Sequence, residues 1–476
     1  MLQLSLLDQL AQAVDSTFSL RRNQEKEAPP LGQTETSLKP LFSRQALTRL
    51  IIPLVIEQFL LMSVGMMDTV MVTTAGQAAV SGVSLVDNVN QLIIQIFSAL
   101  STGGAVVCSQ YLGRRDVESA RTAAKQLLYA VFTLALVLMA AALLFRQHIL
   151  SLLFGQIESD VMDSALVYFL TTALAYPFIS LYNAGAALFR SMGNSKVSMF
   201  NSLIVNLVNV VVNAVLIYGF HMGSLGAGIG TLVSRVAAAV IILYLLQHHN
   251  NILRIEGLFR FQFRGDMVGR ILTIGIPNGL ENGLFQTGKL VVLSLITSFG
   301  TNAVAANAIA NSIAGVVNVP GQAIGLAMIT VVGQCMGAQA PEQAVSYTRK
   351  LVGIVYLAMG SLALLMFIFA APLCSIFQLT PEAADMAAEV LRWCAVFDLI
   401  IWPLSFTLPN ALRAAGDAVF TMAVSLASMF LFRIGFSYLL SCSWGLDLGL
   451  LGVWIAMIID WWVRALIFIF RFVQGR

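Results

Sequence analysis

The sequence predicts an all-α integral membrane protein with twelve transmembrane helices in two six-helix lobes, related by a parallel pseudo-two-fold repeat. Three observations predict it. Of 476 residues, 58% are hydrophobic and only 11% charged, less than half the charge that solvates an ordinary soluble surface. Apolar runs long enough to cross a bilayer, about 20 residues each, recur along the chain. The second half of the sequence also repeats the first at a nearly constant offset.

The first six runs cover roughly 50–72, 83–108, 126–145, 165–187, 198–219 and 226–247. The other six cover roughly 271–297, 305–335, 350–372, 388–410, 418–440 and 448–470. Gly, Pro, Asn and charged residues punctuate them, as turns require. A barrel would instead show strands of about 10 residues alternating apolar and polar.

Charge gives the orientation. The loops after the even-numbered spans hold Arg114, Arg115, Arg121, Lys125, Arg190, Lys196, Arg254, Arg260, Arg264, Arg270, Arg349, Lys350 and Arg413; the opposite loops hold Arg146. The positive-inside rule then puts both termini in the cytoplasm of a multi-pass plasma (inner) membrane protein. An even number of spans returns the chain to its starting side, which agrees. The net charge of +3 says little by itself, and no nucleic-acid partner is expected.

Sliding the sequence by 224 positions lays Ile52-Pro53 over Ile276-Pro277, Glu57 over Glu281, Gly76 over Gly300, Gln110 over Gln334 and Gly113 over Gly337. One residue is then lost, so Arg190 meets Arg413 and Gly193 meets Gly416. Six spans per half means both halves enter the membrane from the same side. The repeats are therefore parallel, and their axis runs along the membrane normal. The expected units are an N-terminal extension at 1–45, a first lobe at 46–247, an inter-lobe loop at 248–270 and a second lobe at 271–476. In the extension, Leu6, Leu10, Ala13 and Val14 fall at helical spacing, which predicts a short amphipathic helix on the cytoplasmic membrane face. Two lobes facing each other across such an axis leave a central cavity that rocking opens to either side. That is the architecture of a secondary transporter.

Charge inside the membrane costs about 2.5–3.5 kcal/mol per residue on insertion scales and marks functional sites. The intramembrane acids are Glu57 and Asp68 in span 1, Asp87 in span 2, Glu281 in span 7, Asp398 in span 10 and Asp460 in span 12. Glu57 and Asp68 lie 11 residues apart, about 20° from eclipsed on a helix, so both can line one cavity or each can bond a neighbouring helix. Asn206, Asn209 and Asn213 form a stripe on span 5, with Thr231 of span 6 able to face it. Side-chain oxygens beside a carboxylate suit a small hard cation or a proton relay; interhelical bonding is the competing reading. Glu281 and Asp398 form a second candidate cluster, with Pro403 close enough to open the backbone. Asp460 and Arg464, at i and i+4, read as a helix salt bridge. Lys289, Arg235 and Arg433 are further intramembrane charges. The five cysteines form no CxxC pair and read as packing residues. No Walker loop, HExxH or GxSxG occurs, so no enzyme, cofactor or structural metal site is expected.

Four stretches carry a resemblance: "MMDTVMV" in span 1, "GGAVVCSQYLGRRD" closing span 2, "ALFRSMGNSKVSM" between spans 4 and 5, and "NVVVNAVLIYG" followed by "LGAGIGTLVSR". In this order they resemble the multidrug and toxic compound extrusion (MATE) family, over about residues 46–470. The resemblance implies export of amphipathic, often cationic, small molecules in exchange for inward H+ or Na+, with no other cofactor. It implies a first-lobe cation site at Asp68, Asn209, Asn213 and Thr231, as in DinF-like members, although Asn213 stands where those commonly carry Asp. It also implies a second-lobe site at Glu281 and Asp398, as in NorM-like members. Glu57, twinned by Glu281, is a further first-lobe candidate. The expected partners are small-molecule substrates and membrane lipid, and the expected state is a monomer. A lipid or oligosaccharide flippase of the related exporter superfamily is the alternative, and it would favour a cavity rich in basic residues.

Overall fold

The computed structural model describes residues 40–475, except 156–157, 249–250, 256, 258–261, 378 and 443–444 and the side chains at 64, 66, 68, 69 and 75. The proposed amphipathic helix and the side chain of Asp68 therefore lie outside the described residues. Elsewhere the chain runs as twelve helical spans. In the first half these are α1 (Arg44–Val72), α2 (Gln77–Gly113), α3 (Val117–Phe154), α4 (Ser159–Leu174 with Tyr176–Ser191), α5 (Ser195–Asn213) and α6 (Gly223–Gln247). In the second they are α7 (Gly265–Thr297), α8 (Thr301–Gly337), α9 (Pro341–Ile368), α10 (Pro381–Ile400 with Leu408–Ala414), α11 (Ala418–Ser428 with Phe436–Ser441) and α12 (Gly449–Gln474).

Several helices outrun the expected spans. α3 has 38 residues, about 57 Å, so it projects well beyond a hydrocarbon core of about 30 Å. Side chains cap helix starts where local chemistry allows. The Ser43 hydroxyl accepts from the Ala46 N–H to start α1, and the Asp116 carboxylate accepts from the Ser119 N–H to start α3, each satisfying an otherwise orphaned donor.

Two spans are sharply bent. α4 bends by 47° and α10 by 61°. The α10 bend carries the π-helical turn Pro403–Thr407, because proline removes one backbone donor and displaces the ladder. π-helical turns also follow Asn213 in α5 (Ala214–Gly219) and interrupt α11 (Met429–Gly435). Such turns gather at functional positions.

α7 carries an unusually polar middle. With Asn278, Glu281, Asn282, Gln286 and Lys289 along its middle, it is not among the eleven described spans apolar enough to pass as membrane-crossing. All five residues border cavities, so this polarity belongs to the interior of the bundle.

The two lobes interlock at one end. Leu47, Leu50, Ile51 and Leu54 of α1 pack into the core of the second half, while Met267, Ile271 and Ile274 of α7 pack into that of the first. The strand of chain before α1 docks the same way: Tyr347 Oη of α9 accepts from the Phe42 N–H at 2.9 Å and sits edge-on to the Phe42 ring. The ends of α2 and α8 meet reciprocally. A Cβ on Gly113 would overlap the Gln334 carbonyl oxygen, and one on Gly337 would overlap that of Gln110. Gln110 Nε2 donates to the Ala414 carbonyl at 3.0 Å and Gln334 Nε2 donates to the Ser191 carbonyl at 2.7 Å. Each contact is the repeat image of the other. Each amide satisfies a carbonyl left orphaned near a helix C-terminus.

Candidate functional site

Between the lobes lies a cavity of about 700 Å³, floored by the interlocked end. It adjoins a second recess of about 400 Å³ that reaches Leu153 and Phe154 at the far end of α3. Lys289, Arg433, Trp454 and Met457 border both.

Two ion pairs stand just above the floor. Arg190 Nη1 donates to Glu57 Oε1 at 3.1 Å, and Ser198 Oγ donates to Glu57 Oε2 at 2.6 Å. In the other lobe Arg413 Nη2 donates to Glu281 Oε1 at 2.7 Å, and Arg413 Nη1 donates to Asn410 Oδ1 at 2.9 Å. Both glutamates are buried. The 224-residue repeat of the glutamates and the 223-residue repeat of the arginines thus build the same pair twice. Arg190 and Arg413 are not loop charges, as the sequence reading counted them. They occupy the last turns of α4 and α10, where burial of a carboxylate requires a bonded partner.

The first-lobe amides come together as the stripe predicts. Asn209 and Asn213 are buried, and Asn213 Nδ2 donates to Asn209 Oδ1 at 3.3 Å. α6 presents its bare Gly230 directly against the Asn213 amide oxygen, and Thr231 follows it with a buried hydroxyl oxygen that has no hydrogen-bond partner among the described residues. Asn206 is instead spent on structure, donating to the Leu60 carbonyl at 2.9 Å. Asp87 accepts from Tyr168 Oη at 3.0 Å.

Glu281 and Asp398 do not form one hydrogen-bonded cluster. Glu281 is held by Arg413, with Arg464 Nη2 at 3.9 Å from the same oxygen. Asp398 is fully buried, accepts from the Cys394 thiol one turn earlier at 3.3 Å, and leaves Oδ1 without a partner among the described residues. Nor do Asp460 and Arg464 pair along α12. Asp460 accepts from Ser428 and lies 3.9 Å from Arg433, both on α11, because both side chains turn inward to different neighbours.

Six basic and two acidic side chains line the larger cavity among the described residues, and the two acids are the arginine-bound glutamates. Aromatic rings complete the second-lobe wall. Trp402 stacks on Phe406 at 4.9 Å, and Phe406 meets Trp461 and Phe285 edge-on. Neither these rings nor Ser198 stands out in the sequence. The duplicated Glu and Arg offsets could have revealed the ion pairs; nothing in the sequence marks the rings.

Known proteins share this plan. A probable multidrug resistance protein NorM of Thermotoga maritima is 25% identical over 91% of this chain and 93% of its own length. The uncharacterized transporter YisQ of Bacillus subtilis is 27% identical over 90% of this chain and 94% of its own. Among solved structures, MATE in the bent conformation superposes with a TM-score of 0.84 at 22% identity, covering 91% of this chain and 95% of that one. A MOP superfamily transporter from Pyrococcus furiosus, described as having a binding pocket of reverse polarity that suggests a different function, superposes with a TM-score of 0.85 at 21% identity, covering 94% and 98%. The MatE family model matches residues 53–215 and again 277–439, two copies set apart by the same 224 positions as the internal repeat. With two six-span lobes around a shared cavity and both copies of the unit in register, this chain belongs to the MatE family of transporters.

Proposed function

We propose that this protein is a secondary active exporter of amphipathic small molecules, working by alternating access in the plasma membrane as a monomer, with H+ or Na+ moving inward in exchange. The observation that carries this reading is the inter-lobe cavity, shut at one end by repeat-related contacts that a rocking motion can exchange. With both termini cytoplasmic, the shut end faces the cytoplasm and the cavity serves the outside.

The coupling site belongs to the first lobe: Asp68, Asn209, Asn213 and Thr231, with Glu57 a supporting residue already bound by Arg190. Carboxylate, amide and hydroxyl oxygens are the ligands a hard cation prefers, and a sealed carboxylate is equally a proton acceptor. In the second lobe Arg413 holds Glu281, which leaves Asp398 the acid better placed to take a proton there. Coupling is a free-energy linkage between cation and substrate sites and needs no contact between them.

Reconstituted liposomes test this. A Na+ gradient and a pH gradient, imposed separately, are expected to drive accumulation of a fluorescent amphipathic dye under at least one of them. Failure under both would sink the exporter reading. Asp68→Asn is expected to lose gradient-driven uptake while keeping dye binding, and full coupling in that variant would remove Asp68 from the mechanism.

The flippase alternative gains support from one feature, the excess of basic side chains lining the cavity.

A further inference from the structure

The second lobe gathers three cations around one ring. Lys289 Nζ lies 5.3 Å from the Phe285 ring centroid, the Arg433 guanidinium carbon 5.1 Å and that of Arg464 5.6 Å. They come from α7, α11 and α12, so the fold brings them together where no run of basic sequence does. Like charges this close repel, and the carboxylates nearby, Glu281 and Asp460, offset them only in part. Arg413 already occupies the Glu281 oxygen that Arg464 approaches at 3.9 Å. Asp460 stands 3.9 Å from Arg433, beyond hydrogen-bond reach, and its other oxygen accepts from Ser428. Asp398 is bonded to Cys394 on its own helix. Lys289 has no carboxylate within 4 Å among the described residues and is exposed to the cavity.

A second observation points to a ligand. Arg433 and Arg464 are 8% and 2% exposed, yet Arg433 Nε and both Nε and Nη1 of Arg464 have no acceptor among the described residues. Buried guanidinium donors left unpaired are costly, and an oxyanion is the partner their planar fork fits. Beside them, Phe285, Phe406 and Trp402 offer flat apolar surface.

We propose that the substrate is an amphipathic organic anion, whose carboxylate, sulfonate or phosphate head binds Lys289, Arg433 and Arg464 and whose apolar body lies on Phe285, Phe406 and Trp402. As a statement about the transported molecule this rests on the exporter reading; as a statement about binding it does not. An inside-negative potential assists such export, by roughly fiftyfold in gradient per charge per 100 mV. Because the proposed coupling cation sits in the other lobe, it acts through lobe movement rather than by competing for one charge.

The test uses the full chain in detergent and two naphthalene probes of equal size, one a sulfonate and one a quaternary ammonium, titrated by calorimetry. The sulfonate is expected to bind at least about tenfold more tightly, the loss expected for one charge-assisted hydrogen bond. Lys289→Gln is expected to weaken the sulfonate about tenfold with an unchanged melting temperature, and Lys289→Arg to restore it. Preference for the ammonium, or a sulfonate affinity indifferent to Lys289→Gln, overturns the proposal. Two liposome arms separate the sources of the head group. Potential-driven movement of the free sulfonate supports a soluble anion, while accelerated flipping of fluorescent phosphatidylglycerol supports a lipid phosphate. Sulfonate binding without transport in any arm would sink the exporter reading and leave the anion site standing. Transport of the ammonium alone would do the reverse.

Discussion

Alanine at both Gly113 and Gly337 is expected to reduce transport by about a hundredfold and to hold the protein open at the end that is shut here. The added carbons would overlap backbone carbonyl oxygens of Gln334 and Gln110, and backbone on packed helices cannot swing aside as a side-chain tip can. Overpacking of this kind costs about 1–3 kcal/mol per site, and two such sites multiply as population factors. The cost falls on one conformation only, because the lobes separate here in the alternate state. The readout is access to the seam. Ser109 is fully buried there, against Gly333. A cysteine at Ser109 is expected to react slowly with maleimide in the parent and much faster in the glycine variants. Gly353→Ala, where an added Cβ meets nothing within 4 Å, is the control expected to change neither rate. Equal reactivity of Ser109→Cys in all backgrounds would show that these glycines do not govern closure.

The sequence disclosed the fold almost completely because membrane helices are written in long apolar runs and because the chain repeats itself. Pro403 foretold the bend in α10, and the Asn206, Asn209 and Asn213 stripe foretold a polar face on α5. The site was less legible, since it depends on which side chains meet across helices. Arg190 and Arg413 sit beside loops in sequence and looked like solvated charge; in the fold they pair with Glu57 and Glu281 on other helices. Asp460 and Arg464 had the spacing of a helix pair, but each found a nearer partner on another span or in another lobe feature: Ser428 and Arg433 for Asp460, Phe406 and Glu281 for Arg464. The gathering of Lys289, Arg433 and Arg464 comes from residues up to 175 positions apart, and no local pattern records it. Lys289 stands two turns beyond Glu281 on α7, about 12 Å further along the axis, so one helix carries the acid near the floor and the cation nearer the opening.

The duplicated ion pairs predict unequal losses. Arg190→Met is expected to destabilise the protein by about 3 kcal/mol, the lower end for breaking a buried pair, because the Arg190 side chain keeps 15% exposure to the cavity. It leaves Glu57 buried with only the Ser198 hydroxyl. Arg413→Met is expected to cost less, since Arg464 already stands 3.9 Å from the same Glu281 oxygen and can move onto it. Removing the acids inverts the order. Glu57→Gln strands one arginine, whereas Glu281→Gln strands Arg413 beside Arg464 and increases their mutual repulsion. The double variant Glu57→Met with Arg190→Met is expected to recover most of the stability lost by either single change, as paired apolar replacements of buried ion pairs do. Apparent melting temperatures of the purified variants in one detergent give the ranking. Equal losses for Arg190→Met and Arg413→Met would mean that Arg464 does not share Glu281. A double variant no more stable than its parents would mean that packing at these positions, rather than the buried charge, is what each pair supplies.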